Sequence, residues 1–337
     1  MAPPPGCRMT LRAVFFAALI GVTTGAPAGE PHLAVVGGLG GEAYYTDLFH
    51  RWVETLTQVA TQRLGIAPER VIRLEEHASG DSNPVTEVSR KENVLGAIRR
   101  LEQESAEGDV IALVLVGHGT AGGGRALFNL PGRDLSASEL ASTLDTVEQR
   151  TVVVVVAAPA SALFVEALSG PERIVIAATS NAAENQHTRF GGHFVDAFAE
   201  DAADSDKDRR VSLLEAFQYA SREVARGFEI EGKLPTEHAM LDDNGDRVGS
   251  RNPGTDDGDG TLAARVHLAA PEGEDPATAA GRETLALQIR ARRLVDRIEV
   301  VKREKRSLEA NEYQQRLEAL LVELALNRRA YRARRVQ

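Results

Sequence analysis

Val110-Ile111-Ala112-Leu113-Val114-Leu115-Val116-Gly117-His118-Gly119-Thr120 is an unbroken apolar run that stops at a histidine set between two glycines. A run with no polar alternation reads as a strand buried on both faces, the situation in a parallel sheet covered by helices. Glycines on either side let backbone approach closely. The carboxyl end of a central strand is where open α/β sheets build their sites. His118 is therefore the first candidate site residue.

Working outward, β-branched runs at 33–36, 70–74, 151–157 and 173–178 alternate with helical patterns at 44–65, 88–104, 136–147 and 190–200. A short helix is expected after Ser161, and another from Ser212 to about residue 227. Strands alternating with helices predict an α/β fold with a mostly parallel sheet flanked by helices. Gly37-Gly38-Leu39-Gly40-Gly41 joins the first strand to the first helix. Its spacing departs from the dinucleotide fingerprint, so tight strand-to-helix packing is the expectation. His187 and His193, near Arg189, are expected at surface or cap positions, with the sheet's carboxyl edge as the alternative, and His238 beside Glu237 is uninformative.

The texture changes after this region. Residues 242–283 are rich in Asp, Gly and Pro and read as an acidic loop or linker with little core of its own. Residues 284–337 carry heptad-like apolar spacing in two sets, Leu287 to Leu308 and Tyr313 to Leu324. This predicts a C-terminal helical hairpin of coiled-coil type. It would pack on itself, on the main domain or on another chain, with self-association through 284–334 as one outcome.

Length and composition set bounds on the rest. The chain has 337 residues, 43% of them apolar, which supports a real core. Residues 1–28 read as a cleavable export signal: Arg8 and Arg12, an apolar stretch from Ala13 to Val22, and Ala26-Pro27-Ala28 as the cleavage site. The expected location is periplasmic or secreted, with no stable membrane span after cleavage, because the apolar stretch is too short to cross a bilayer. Losing two arginines and no acid takes the formal net charge from −10 to −12. So acidic a protein disfavours a nucleic-acid partner, which is held through phosphate neutralisation by Lys and Arg. The sole cysteine, Cys7, lies in the signal.

Val114-Leu115-Val116-Gly117-His118-Gly119-Thr120, followed by a buried-looking strand Val152 to Val156 running into Ala157-Ala158-Pro159-Ala160-Ser161, resembles the caspase, legumain and gingipain superfamily of cysteine peptidases over about residues 32–227. The resemblance implies a caspase-like three-layer sandwich, with residues 29–241 as the caspase-like domain. It also implies that the first strand end carries the catalytic histidine and the second an Asp-x-Cys-x-Ser-Gly type turn. Laid on this chain, His118 falls on the histidine, Ala157 on the aspartate, Pro159 on the cysteine, Ser161 on the serine and Ala162 on the glycine. Pro159 has neither a nucleophilic atom nor a backbone N–H to donate to an oxyanion. The expectation is a catalytically inactive homologue that binds or scaffolds a peptide or protein partner, with His118 vestigial. The alternative is a hydrolase using Ser161 with His118 as base. The bland reading of Ser161 is a cap on the following helix.

A second chemistry lies in the acidic loops. Asp204, Asp206, Asp208, Ser212 and Glu215 fall at positions 1, 3, 5, 9 and 12 of an EF-hand-like calcium loop, residues 204–215. Arg209 stands where that loop has its turn glycine. Ser212 and Glu215 also spell a capping box, and both readings can hold together. Asp242, Asn244 and Asp246 repeat the 1, 3, 5 spacing, with Pro253 where a closing glutamate belongs. Calcium is the expected cofactor, at each loop separately or at one ion shared between them.

Overall fold

The computed structural model describes residues 29–77, 86–199, 201–254, 258–269, 287, 290, 291, 294, 298, 301, 302, 305 and 308–335. The expected export signal lies outside them. Seven strands form the main sheet in the order β10-β9-β8-β4-β1-β2-β3. They are β1 (Pro31–Gly37), β2 (Val71–Glu75), β3 (Thr86–Val88), β4 (Val110–Val116), β8 (Thr151–Ala157), β9 (Arg173–Ala177) and β10 (Met240–Asp242). All neighbours are parallel except β9 and β10. The central strand β4 pairs along its whole length with β1 on one side and β8 on the other.

Both faces of the sheet are covered. On one side Val110, Ala112, Val114 and Val116 of β4 pack with α1 (Ala43–Gln62), α5 (Phe190–Ala199) and α6 (Leu213–Ile230). On the other, Ile111, Leu113 and Leu115 pack with α2 (Lys91–Glu104), α3 (Ala137–Leu144) and α4 (Ala162–Leu168). This is the three-layer arrangement the sequence led us to expect, with continuous apolar strands because each residue meets a helix layer. Phe190, Phe194, Phe198 and Phe217 form the ring-packed core between α5 and α6.

Three features differ from expectation. A short antiparallel sheet, β5 (Gly119–Gly122), β6 (Arg125–Phe128) and β7 (Leu135–Ser136), grows directly from the His118 turn. Residue 88 ends strand β3, and the helix begins only at Lys91. Finally, the acidic segment after β10 is no bystander: Ala263, Val266 and Leu268 are buried in the α5–α6 core. The carbonyls of Val266 and Ala263 accept from the Leu213 and Leu214 amides, two of the N–H groups a helix start leaves unpaired.

The described residues between 287 and 302 are helical, and a long helix covers Ala310–Arg335. Leu294, Ile298, Val301, Leu320 and Leu324 form a separate apolar cluster, and Arg290 pairs with Glu323 across it. The two heptad sets therefore pack on each other. No helix among the described residues is long and apolar enough to cross a membrane.

Two helical glycines respond in opposite ways to an added methyl group. A Cβ on Gly192 of α5 would fall 2.8 Å from the Trp52 ring of α1, whereas one on Gly96 of α2 meets nothing within 4 Å. Gly192→Ala is expected to lower unfolding stability by about 1–2 kcal/mol, because overpacking outweighs the gain in helix propensity. Gly96→Ala is expected to raise it by about 0.5–1 kcal/mol. Chemical denaturation of both variants checks this; the same sign in both would contradict the packing described.

Candidate functional site

Parallel pairing of β4 with β8 sets Val116 opposite Ala157, and the Gly117 amide donates to the Ala157 carbonyl at 3.3 Å. The two strand ends therefore emerge side by side. A Cβ on Gly119 would lie only 2.5 Å from the Pro159 carbonyl oxygen, so glycine is what lets the His118 turn and the Pro159 turn touch. The β1–α1 glycine run closes a third side. Gly38 and Gly117 both press against the Phe128 ring, and Gly40 packs against Thr46. The Gly40 backbone carbonyl accepts a hydrogen bond from the His118 ring.

The His118 ring stands edge-on to Tyr45 and Phe49 of α1, with centroids 4.7 Å and 5.1 Å away. His187, from the loop after β9, lies 6.1 Å from His118 and 4.7 Å from Tyr45, and stacks on Trp52. Of the two placements open to His187, the sheet's carboxyl edge is the one it takes, where it completes an aromatic wall. Its Nδ1 is buried without a hydrogen-bond partner. Burial holds both imidazoles below their ordinary range, His187 down to about 4, with the charges of His118 and Arg189 adding to the effect. Each is neutral at pH 7. His193 pairs loosely with Asp196 on its own helix, and His238 bonds Glu184 at 2.6 Å.

The turn after β8 carries no thiol, and its one hydroxyl, that of Ser161, is buried. Pro159, Ala160 and Ser161 are all buried. Ser161 is 1% exposed, and its Oγ lies 3.1 Å from Thr179 Oγ1 while accepting from the Thr179 amide. It occupies the N-cap position of α4 yet makes no cap hydrogen bond, so the expected capping role gives way to a tie between β8 and β9. Among the described residues no hydrogen bond joins Ser161 to His118. The two amides after Pro159 are also engaged: Ala160 donates to the Glu184 carbonyl at 2.9 Å and Ser161 to Thr179 Oγ1 at 2.8 Å. Neither points freely at a developing oxyanion.

Glu237 anchors the far side of the loop. Its carboxylate accepts the Arg189 and Phe190 amides at the start of α5. Burial nevertheless pushes it up to about 7. Glu184, which accepts from Ser180 and the backbone of His238, pins the same loop from within.

The acidic loops form two separate groups. Asp204, Asp206 and Asp208 bring carboxylate oxygens within 4.8 Å of one another. Arg209 takes the left-handed conformation at φ 72°, which the missing glycine would otherwise supply. Burial and neighbouring carboxylates push Asp208 up to about 6. Ser212 and Glu215 form the full capping box of α6, and the second Glu215 oxygen accepts from Ser205. The other group joins Asp242 and Asp246 to Asp259, a residue sequence spacing did not single out. Asn244 is turned inward on the loop, bonding the Asp246 amide and carboxylate.

With this geometry in place, residues 88–239 match the model for the Peptidase C13 family, a span that includes His118, Pro159 and Ser161. This portion of the chain is similar to that family of legumain- and caspase-like peptidases. No curated protein matches the chain.

The neutral His187 gives a pH signature. A folded pKa near 4 against about 6.5 when unfolded means its contribution is fully present above pH 6.5 and is lost as pH falls toward 4. Between pH 7.5 and 4.5, wild type is expected to lose about 2–3 kcal/mol more stability than His187→Asn. Urea unfolding at the two pH values measures the difference, and identical losses would contradict a desolvated His187.

Proposed function

We propose that this chain is an exported, non-hydrolytic relative of the C13 peptidases that binds a peptide or protein segment against the wall formed by His118, His187 and Tyr45. The observation that carries the reading is the Pro159 turn. Proline stands where the resemblance places the nucleophile, and the following two amides are tied to Glu184 and Thr179. The chain's one thiol, Cys7, falls within the expected export signal. Attack on an acyl carbon needs a nucleophile beside a base and donors for the oxyanion. The Pro159 turn supplies none of these, and the Ser161 hydroxyl faces Thr179.

Binding is supported by what remains. Two neutral imidazoles and a tyrosine face one another at the end of the central strands. An apolar wall with a few polar handles is the usual character of a small-ligand or peptide site. Calcium at the 204–215 loop would brace the start of α6. Asp204, Asp206 and Asp208 are its first ligands in this reading, since they converge while Glu215 serves the helix cap.

Incubating the protein that begins at Gly29 with a broad peptide library tests both halves. Mass spectrometry is expected to find no cleavage products above a no-protein control. A subset of peptides should be retained, and His187→Ala should lose them. Cleavage abolished by His118→Ala would overturn the reading, and cleavage abolished by Ser161→Ala as well would establish the serine hydrolase in its place. Absence of any retained peptide would overturn the binding half.

A further inference from the structure

We propose that Asp242, Asp246 and Asp259 form a divalent-cation site that takes calcium and fastens the last strand of the sheet to the segment lying on α6. The site is discontinuous in sequence. Asp242 ends β10, Asp246 sits in the turn that follows, and Asp259 comes from the Gly-rich stretch beyond. Their carboxylates each offer an oxygen, all within 4.8 Å of one another. Asp242 is 0% exposed and Asp259 7%.

Two buried carboxylates with a third beside them are costly without a counter-charge. Among the described residues no Lys or Arg forms an ion pair with any of the three. Hydrogen bonds account for only part of the demand. Asp242 Oδ1 accepts from Gly245 N at 3.2 Å and Asp259 Oδ1 from Asp243 N at 3.1 Å. Asp242 Oδ2 is buried with no partner of full hydrogen-bond geometry, although the Ser169 hydroxyl and the Arg247 amide lie close enough to favour the charged carboxylate. A fully buried, unpartnered carboxylate oxygen in a cluster of three acids is what a cation would satisfy.

The neighbouring residues shape the turns that carry the cluster. Asp243 is turned the other way, its two oxygens accepting the amides of Gly260 and Ala263 at 2.7 Å each. Asn244 positions Asp246 by bonding its amide. Gly245 and Gly260 hold positive φ at the two tight bends, where a side chain would be strained.

The donor set names the ion. Three carboxylates with no nitrogen or sulfur suit a hard cation. Calcium holds oxygens at about 2.3–2.6 Å, so opposite ligands stand about 5 Å apart, and a spread of up to 4.8 Å fits it without collapse of the turn. Magnesium, at about 2.0–2.1 Å, draws its ligands closer. The proposal is independent of the reading of the His118 turn: calcium binding and peptide retention are separate measurements on separate residues.

The test is calorimetric titration of chelator-stripped protein beginning at Gly29 with calcium chloride, for wild type, Asp208→Asn, Asp246→Asn and Asp259→Asn. Thermal unfolding is followed with and without millimolar calcium. Wild type and Asp208→Asn are expected to share a binding event that Asp246→Asn and Asp259→Asn each weaken at least tenfold. The calcium-dependent rise in melting temperature from this site should disappear with it. Without calcium, Asp259→Asn should melt no lower than wild type, because it removes a buried like charge. Asp246 is exposed, so its variant tests the site even should Asp259→Asn fail to fold. Calcium binding unchanged in both variants, no binding by wild type at millimolar calcium, or tighter binding of magnesium than calcium would overturn the proposal. So would an Asp259→Asn protein destabilised equally with and without calcium while binding calcium normally.

Discussion

Everything at the proposed site depends on the double pairing of β4. Its residues are matched one for one with β1 and with β8, and both of its faces are buried under helices. Register is then strictly set, since a slip of one residue would exchange the two apolar faces and unpair the backbone beneath both helix layers. With Val116 opposite Ala157, the His118 turn and the Pro159 turn must leave the sheet in contact. The closeness of Gly119 to the Pro159 carbonyl is the visible consequence. Chemistry at this position is thus decided by which residues the two turns carry, not by any freedom in the fold.

The polar groups of those turns are engaged in structural hydrogen bonds. The amides after Pro159 and the Ser161 hydroxyl are absorbed by Glu184 and Thr179, which both lie in the loop after β9. Glu237 and Glu184 hold that same loop, which delivers His187 to the aromatic wall. The loop after β9 is therefore both the lock on the Pro159 turn and the source of the second imidazole.

The central strands were legible in sequence because a strand buried on both faces has no polar residues to confuse its period, as Val152 to Val156 show. The edges were not. β3 and β10 are three residues each, and β10 is recognisable only through its antiparallel pairing with β9. The β5–β7 sheet begins in glycines whose composition reads as a loop. Among site residues, His118 and the acidic spacing from Asp204 and Asp242 could be read locally. His187 could not, since its meaning comes from rings on α1 far away in sequence. Asp259 lay hidden in the acidic run after residue 254, where nothing in the spacing tied it to Asp242. Ser161 was misread as a cap because its true partner, Thr179, lies just past the end of the neighbouring strand β9.

The central claim is that the meeting of β4 and β8 holds no competent nucleophile. The most direct measurement is the intact mass of the protein beginning at Gly29 after exposure to a fluorophosphonate and, separately, to a peptidyl electrophile directed at cysteine peptidases. The account predicts no stoichiometric mass gain with either reagent. A stoichiometric adduct mapped to Ser161, and lost in His118→Ala, would contradict it.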